Sequence, residues 1–417
     1  MIVLGVPIAF AMGVAGVAGW FMIGGIVPAM GLASLVPFAR LTIFEYTVIP
    51  LFIVMGNFVY YAGFGADLYR TCRNWIGHLP GGLALATIGG CAVFAATSGS
   101  TMASAATMGK IAVPEMVKAG YDRRLAAGCV AAGGTLSAMI PPSILMVIYG
   151  IIAEQSISKL LIAGIFPGLV EVALYCLLIS FWARRDPKLA PPAPKATWKG
   201  RMVSLKHTWA VILIAMIVIG GIYMGVFTPT EAGGMGALAS FLVAISSRRL
   251  SWSGIQESFL EAARMSVMIF TILIGAFMFS YQFGVSHLPQ IFSEFLIGLK
   301  VPPLVIIGAI CVMYLFLGCF IGSVPMMVLT LPFVFPAVVK LGYDPIWFGV
   351  IMVHLCETAQ ITPPFAVNIF ALAGAVPDIS VPDIISGIGR FILADIVELV
   401  LLIAFPQIAL FLPSLMG

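Results

Sequence analysis

The sequence predicts an all-α polytopic membrane protein made of two inverted-topology repeats, each with a re-entrant helical hairpin and a broken transmembrane helix. Three observations lead there: hydropathy, an internal repeat, and the placement of positive charge. Of the 417 residues, 61% are hydrophobic and 9% charged, with a mean hydropathy of +1.11. At ~20 apolar residues per spanning helix, such a composition furnishes about a dozen spans. It excludes a soluble domain, a disordered chain and a nucleic-acid-binding surface. The apolar stretches are continuous rather than alternating, which excludes a porin-like barrel.

In chain order, apolar spans are expected over 2–24, 46–63, 82–98, 102–117, 125–153, 160–183, 208–225, 228–246, 259–281, 303–320, 324–339, 346–375 and 384–413. The stretches 25–44 and 284–300 are mixed in polarity and are placed along the interface. Met1 to Gly5 is short for an approach to the membrane, so the first helix reads as shortened, with no basic n-region or cleavage site of a signal peptide. The seven cysteines show no CxxC or metal-ligand spacing and read as small buried hydrophobes. Residues 184–207 carry seven cations and one acid and are rich in proline. They read as an exposed loop that divides the chain into halves.

Those halves repeat each other. Pro114–Asp122 and Pro336–Asp344 match at six of nine positions with an offset of 222 residues. The same offset carries Pro141-Pro142 onto Pro363-Pro364, Ile157-Ser158 onto Ile379-Ser380, and Pro80 onto Pro302. One further residue of slip brings Gly99-Ser100 onto Gly322-Ser323.

With the basic loop cytoplasmic, two crossings back place Lys118, Arg123 and Arg124 on the same side, as the positive-inside rule prefers. The Lys340–Asp344 turn balances one cation with one acid and is assigned to the outer face. The repeats are then opposite in orientation. Inverted repeats with interrupted helices point to a secondary transporter whose site lies near the bilayer midplane.

The interruptions carry the expected chemistry. An apolar run breaks at Thr97-Ser98-Gly99-Ser100-Thr101 in the first half and at Gly322-Ser323 in the second, each making a re-entrant hairpin. The next span breaks at Gly133-Gly134-Thr135 and Pro141-Pro142, and its counterpart at Glu357-Thr358 and Thr362-Pro363-Pro364. Unwound carbonyls and hydroxyls suit a hard monovalent cation such as Na⁺: Ser98, Gly99, Gly134 and Thr135 in one half, Gly322, Ser323, Thr358 and Thr362 in the other. Helix N-termini after Thr101 and Ser323 offer N–H groups to a carboxylate.

Intramembrane charges are few. Glu357 stands beside the second break, with cation attraction, proton coupling or a hydrogen-bond brace as its open roles. His354 lies one turn before it, close enough to meet it. Asp395 and Glu398 sit deep in the last span with Arg390 nearby and read as a local ion pair or a helix brace.

The strings Ser98-Gly99-Ser100, Pro114-Glu115-Met116, Gly120-Tyr121-Asp122, Ile140-Pro141-Pro142-Ser143 and Phe227-Thr228-Pro229-Thr230-Glu231-Ala232, with Thr362-Pro363-Pro364 followed by Asn368, resemble the large membrane subunit of tripartite ATP-independent periplasmic (TRAP) transporters, DctM-type. The resemblance implies a sodium-driven importer of an organic acid in a bacterial inner membrane, with no organic cofactor. Its partners would be a small four-helix membrane subunit and a soluble periplasmic substrate-binding protein. The resemblance also implies an elevator: a transport domain of residues 80–183 and 302–417 sliding against a scaffold of 1–79 and 208–301. Residues assigned to the acid are Ser98, Ser100, Thr101, Ser143, Ser323 and Asn368. Thr358, Ala359 and Gln360 depart from the family's pattern after Glu357, which implies an altered second cation site. Arg390 follows Gly389 where the family commonly has proline.

Other classes fit less well. A stand-alone sodium-coupled dicarboxylate carrier shares the inverted hairpins and would need neither accessory subunit. A channel would repeat its loops about a symmetry axis as a filter. An intramembrane enzyme would need a paired nucleophile and base or a metal motif, and the sequence has no HExxH or Walker A. No segment between the spans is large enough to form a nucleotide-binding domain of an ATP-driven pump.

Overall fold

A computed structural model describes residues 6–416 apart from His287 and Phe365. The first five positions, on which part of the first expected span falls, lie outside the described residues. The first half runs α1 (Ile8–Gly24), α2 (Ile26–Leu41), α3 (Val48–Tyr61), α4 (Phe64–Ile76), α5 (Gly82–Ser98), α6 (Thr101–Lys118), α7 (Arg123–Met139), α8 (Ile144–Ile152), α9 (Ile157–Ala163) and α10 (Ile165–Arg185). Next come α11 (Trp198–Ala215) and, through a π turn at Met216–Gly220, α12 (Gly221–Tyr223). The second half runs α13 (Pro229–Ser246), α14 (Trp252–Ser286), α15 (Leu288–Gly298), α16 (Pro303–Gly318), α17 (Ser323–Lys340), α18 (Pro345–Ile361), α19 (Val367–Ala375), α20 (Val381–Ala404) and α21 (Gln407–Ser414).

The offset of 222 extends well beyond the matched motifs. Displaced by it, α6 and α7 coincide with α17 and α18 at both ends. Likewise α1 falls on α13, α2 overlaps α14 and α3 falls within it, α4 covers α15, and α9 with α10 overlaps α20. α11 has no counterpart.

Local chemistry explains why the Gly-Tyr-Asp motif appears twice. Lys118 and Lys340 sit in the last turns of α6 and α17, where a cation faces the negative end of the helix dipole. Gly120 (φ +85°) and Gly342 (φ +87°) then turn the chain through the left-handed region. Asp122 caps α7 by accepting from Arg124 N at 2.9 Å and Leu125 N at 3.1 Å. Asp344 caps α18 in the same way, from Ile346 N at 2.7 Å and Trp347 N at 3.1 Å.

The contacts fix the inversion. The turn before α7 lies against the basic loop, since Asp122 N donates to the Leu189 carbonyl at 3.0 Å and Gly81 N to that of Ala190 at 3.2 Å. From this face α7 runs inward, the chain breaks at Ile140–Ser143, and α8 continues until Tyr149 donates to the Pro345 carbonyl at 2.8 Å, where α18 begins. α18 runs back inward to Gln360, which bonds Thr101 at the first hairpin tip. Beyond the second break, α19 packs on α6, with Leu372 and Val376 over Gly109. The Arg124–Asp383 ion pair, at 3.7 Å, puts the start of α20 at the basic-loop face as well. The two broken spans are therefore antiparallel, and their packing is reciprocal: α6 on α19, α17 on α8.

Some expected spans are divided. The α7–α8 pair bends by 42°, and the last span, expected whole, bends by 59° between α20 and α21. Pro406 stands at that bend and has no N–H to continue the helix. Residues 25–44, placed along the interface, form α2. Residues 252–286 form a single helix of 35 residues, longer at both ends than the span expected there. Among the described residues five helices are long and apolar enough to span a membrane, or seven with each bent pair counted as one.

Candidate functional site

The first hairpin turns at Gly99, whose φ of +58° lies in the left-handed region. A Cβ there would also stand 2.8 Å from the Pro142 carbonyl oxygen, so the tip rests directly on the first broken helix. Ser100 then caps α6 by accepting from Ala103 N at 3.4 Å. The second hairpin turns through Cys319–Gly322, and the Ser323 hydroxyl opening α17 donates to the Cys356 carbonyl at 2.8 Å. Both tips line one cavity of about 520 Å³. Gly99, Ser100 and Thr101 face it from one hairpin, and Ile321, Gly322 and Ser323 from the other. Met265, Met268, Ile269 and Ile272 of α14 form a third wall. Ala138 and Gln360, at the inner ends of α7 and α18, also line it.

Of the residues picked from the sequence, the structure brings Gly99, Ser100, Thr101, Gly322 and Ser323 to the cavity. Ser98 lies just behind it, buried, with its hydroxyl 3.4 Å from that of Ser137. Ser143 is spent on helix structure: its hydroxyl donates to the Ala138 carbonyl and accepts from Met146 N at 3.2 Å. Asn368 is fully buried, and neither amide atom has a hydrogen-bond partner among the described residues. Gly134 packs on the backbone of Ala105. Thr135 donates to the Ala132 carbonyl at 2.5 Å, Thr358 to that of His354 at 2.9 Å, and Thr362 to that of Thr358 at 2.7 Å. Each of these hydroxyl oxygens keeps lone-pair capacity. Pro141-Pro142 and Pro363-Pro364 occupy the two breaks, and both Pro–Pro peptide bonds are cis.

A family model described as the tripartite ATP-independent periplasmic transporter, DctM component, matches residues 1–408. The chain belongs to this family. The isethionate TRAP transporter permease protein DctMQ of Oleidesulfovibrio alaskensis is 35% identical over 384 residues, which are 89% of this chain and 58% of that protein. This chain thus spans less than two thirds of that relative's length. The C4-dicarboxylate TRAP transporter large permease protein DctM of Pseudomonas aeruginosa is 33% identical over 376 residues, 89% of this chain and 87% of the relative. The crystal structure of the Alcanivorax borkumensis YdaH transporter shares the fold, with a TM-score of 0.64 at 15% identity, covering 92% of this chain and 90% of that one. The relatives are named as transporter permeases, and this TRAP large permease is a multi-pass membrane protein rather than an enzyme.

Behind the cavity the permease buries a second polar group. The His354 ring bonds the Glu357 carboxyl through Nδ1 at 2.8 Å and the Asp395 main-chain carbonyl through Nε2 at 2.8 Å. A carbonyl only accepts, so Nε2 carries a proton and one further proton is shared between Nδ1 and Glu357. Tyr175 donates to Asp395 at 2.6 Å, and Thr135 lies 3.3 Å from Glu171. Arg390, a partner for Asp395 and Glu398 in the ion-pair reading, instead lies over the Trp182 ring, 4.1 Å from its centroid. A guanidinium at the bundle's rim finds an aromatic face there at far lower desolvation cost than a buried carboxylate would exact. Sequence reading passed over Glu171, though a lone acid in the 160–183 span is itself a signal. It also noted Gln360 only as a departure, while the structure puts it in the cavity wall.

Proposed function

We propose that this large permease carries an organic acid inward with Na⁺, working by an elevator in a bacterial inner membrane alongside a small four-helix subunit and a periplasmic binding protein. The observation that carries the reading is the shared cavity: two oppositely directed hairpin tips meet at one place, against scaffold helix α14. Each tip opens a helix whose first N–H groups lack intrahelical partners, which favours an anion. Each also ends a preceding helix whose last carbonyls favour a cation.

In this reading Ser98 and Gly99 carbonyls hold Na⁺ at the first tip and Gly322 and Ser323 hold it at the second. Gly134, Thr135, Thr358 and Thr362 supply the surrounding helix ends. Ser100, Thr101, Ser323 and the unpartnered Asn368 take the acid, and Ser143 keeps the broken helix capped beside them. Glu357 acts as a brace through His354, since both are buried away from the cavity lining. The mobile body comprises 80–183 and 302–417, the scaffold 1–79 and 208–301, and the basic loop 184–207 joins them. Relatives named for isethionate and for C4-dicarboxylates support an organic acid as the cargo class.

The test is uptake into proteoliposomes that hold the permease and its small subunit, with the binding protein outside. Uptake should collapse when a sodium ionophore dissipates the gradient and when the binding protein is omitted. Uptake that persists without the gradient would remove the coupling, and uptake without the binding protein would favour a stand-alone carrier.

A further inference from the structure

The cavity is chemically lopsided. After its glycine the first-repeat tip presents Ser100 and Thr101, whereas the second presents Ser323, whose hydroxyl proton goes to the Cys356 carbonyl, then Val324 and Pro325, which has no N–H; Phe320 and Ile321 precede that glycine. The inner helix ends add to this, because Gln360 of the second repeat meets the first-repeat tip at Thr101. Gln360 and Ala138 are related by the 222-residue offset and both line the cavity, so an amide stands on one side and a methyl on the other. Thr101 donates its hydroxyl proton to Gln360 Oε1. That bond fixes the amide plane, and its Nε2 has no hydrogen-bond acceptor among the described residues. No Lys, Arg, His, Asp or Glu is among the lining residues described.

We propose that Gln360 is a substrate-recognition residue whose Nε2 donates to one oxygen of the cargo's acid group, and that the cavity selects an acid with one anionic end and an apolar body. The assignment rests on the cavity being the translocation site. One anionic group is served by the Gln360 amide, the Ser100 hydroxyl and the N-terminus of α6, all on one side. A second anionic group would meet only the start of α17, where Pro325 lacks an N–H and the Ser323 hydroxyl proton goes to the Cys356 carbonyl, among methionine, isoleucine and phenylalanine side chains, where an under-paired carboxylate is disfavoured. Apolar surface of the cargo would instead be covered there.

Two six-carbon probes separate these ideas: hexanoate has one carboxylate and an apolar tail, and adipate replaces the terminal methyl with a second carboxylate. Binding of each to the purified full-length protein is measured calorimetrically, in sodium and with choline replacing sodium. Hexanoate should bind in sodium at least about ten-fold more tightly than adipate. Gln360→Leu should weaken hexanoate by about ten-fold, the size of one lost hydrogen bond to a charged group. Gln360→Glu, the same shape with the donor replaced by charge, should weaken it further while the protein stays folded. Thr101→Val, which frees the amide without removing it, should have a smaller effect. Equal or tighter binding of adipate would overturn the one-headed class, and unchanged hexanoate binding in Gln360→Leu would overturn the residue's role. Hexanoate binding that is sensitive to Gln360→Leu but indifferent to sodium would uphold this inference and overturn the coupling instead. No binding of either acid in sodium would overturn both.

Discussion

The two hairpins are related by the repeat and meet at one cavity, yet the protein anchors them differently. Fourteen of the seventeen residues of α5 are buried, against six of the sixteen in α16, so the first hairpin lies within the core and the second contributes one face to it. α5 packs on α3, α4, α7, α10 and α11, and α16 chiefly on α17 and α18. Phe94 and Phe316, equivalent by the offset, are 0% and 65% exposed. The second hairpin makes up for its lipid-facing position with a polar pin. Thr330 donates to the Met326 carbonyl at 2.8 Å, so Tyr314 donates to Thr330 across the hairpin at 2.7 Å. At the equivalent positions the first hairpin has Ala92 and Met108. Packing in lipid gains little from the hydrophobic effect, so close van der Waals contact holds the first hairpin and a hydrogen bond helps to hold the second.

The sharpest way to break this comparison is paired truncation. Phe94→Ala should cost about 4 kcal/mol of stability, as for a fully buried aromatic, read as a shift in the unfolding midpoint of the detergent-solubilised protein. Next in size is Gly56→Leu. A Cβ at Gly56 of α3 would stand 2.5 Å from the Ser98 carbonyl oxygen, so the first tip is seated against the backbone of α3. Overpacking there should cost about 3 kcal/mol and abolish uptake; wild-type uptake would show that the tip is not seated on α3. Tyr314→Phe should cost about 1 kcal/mol, the usual net value of one hydrogen bond, and a loss as large as that of Phe94→Ala would mean the second hairpin is held as firmly as the first. Smallest is Phe316→Ala, which should change the midpoint by less than about 0.5 kcal/mol equivalent. Similar losses for Phe94→Ala and Phe316→Ala would erase the distinction between the hairpins.

What the sequence disclosed, and what it hid, follows from where backbone geometry constrains residue choice. Gly120, Gly342, Asp122 and Asp344 are needed for a left-handed turn and a cap, so the repeat stays legible at those points. The breaks are legible because Pro141-Pro142 and Pro363-Pro364 cannot continue a helix. The relation of α1 to α13, or of α2 and α3 to α14, was hidden because lipid-facing helices require only apolar side chains, and many sequences meet that need. The Arg390 partner was hidden because Trp182 is brought to it only by the packing of α10 on α20. Thr135 and Thr358 were picked as ligands from their place beside the breaks, but their rotamers, which direct both hydroxyl protons to nearby carbonyls, are set by the fold.

The inversion is the claim on which the shared cavity depends, and side-selective labelling tests it most directly. In a background with the seven native cysteines replaced, Lys118→Cys and Lys340→Cys are exposed in turn to a membrane-impermeant maleimide in intact cells. The account predicts that position 340 reacts from outside and position 118 only after the membrane is permeabilised. Reaction of both positions from the same side would contradict it.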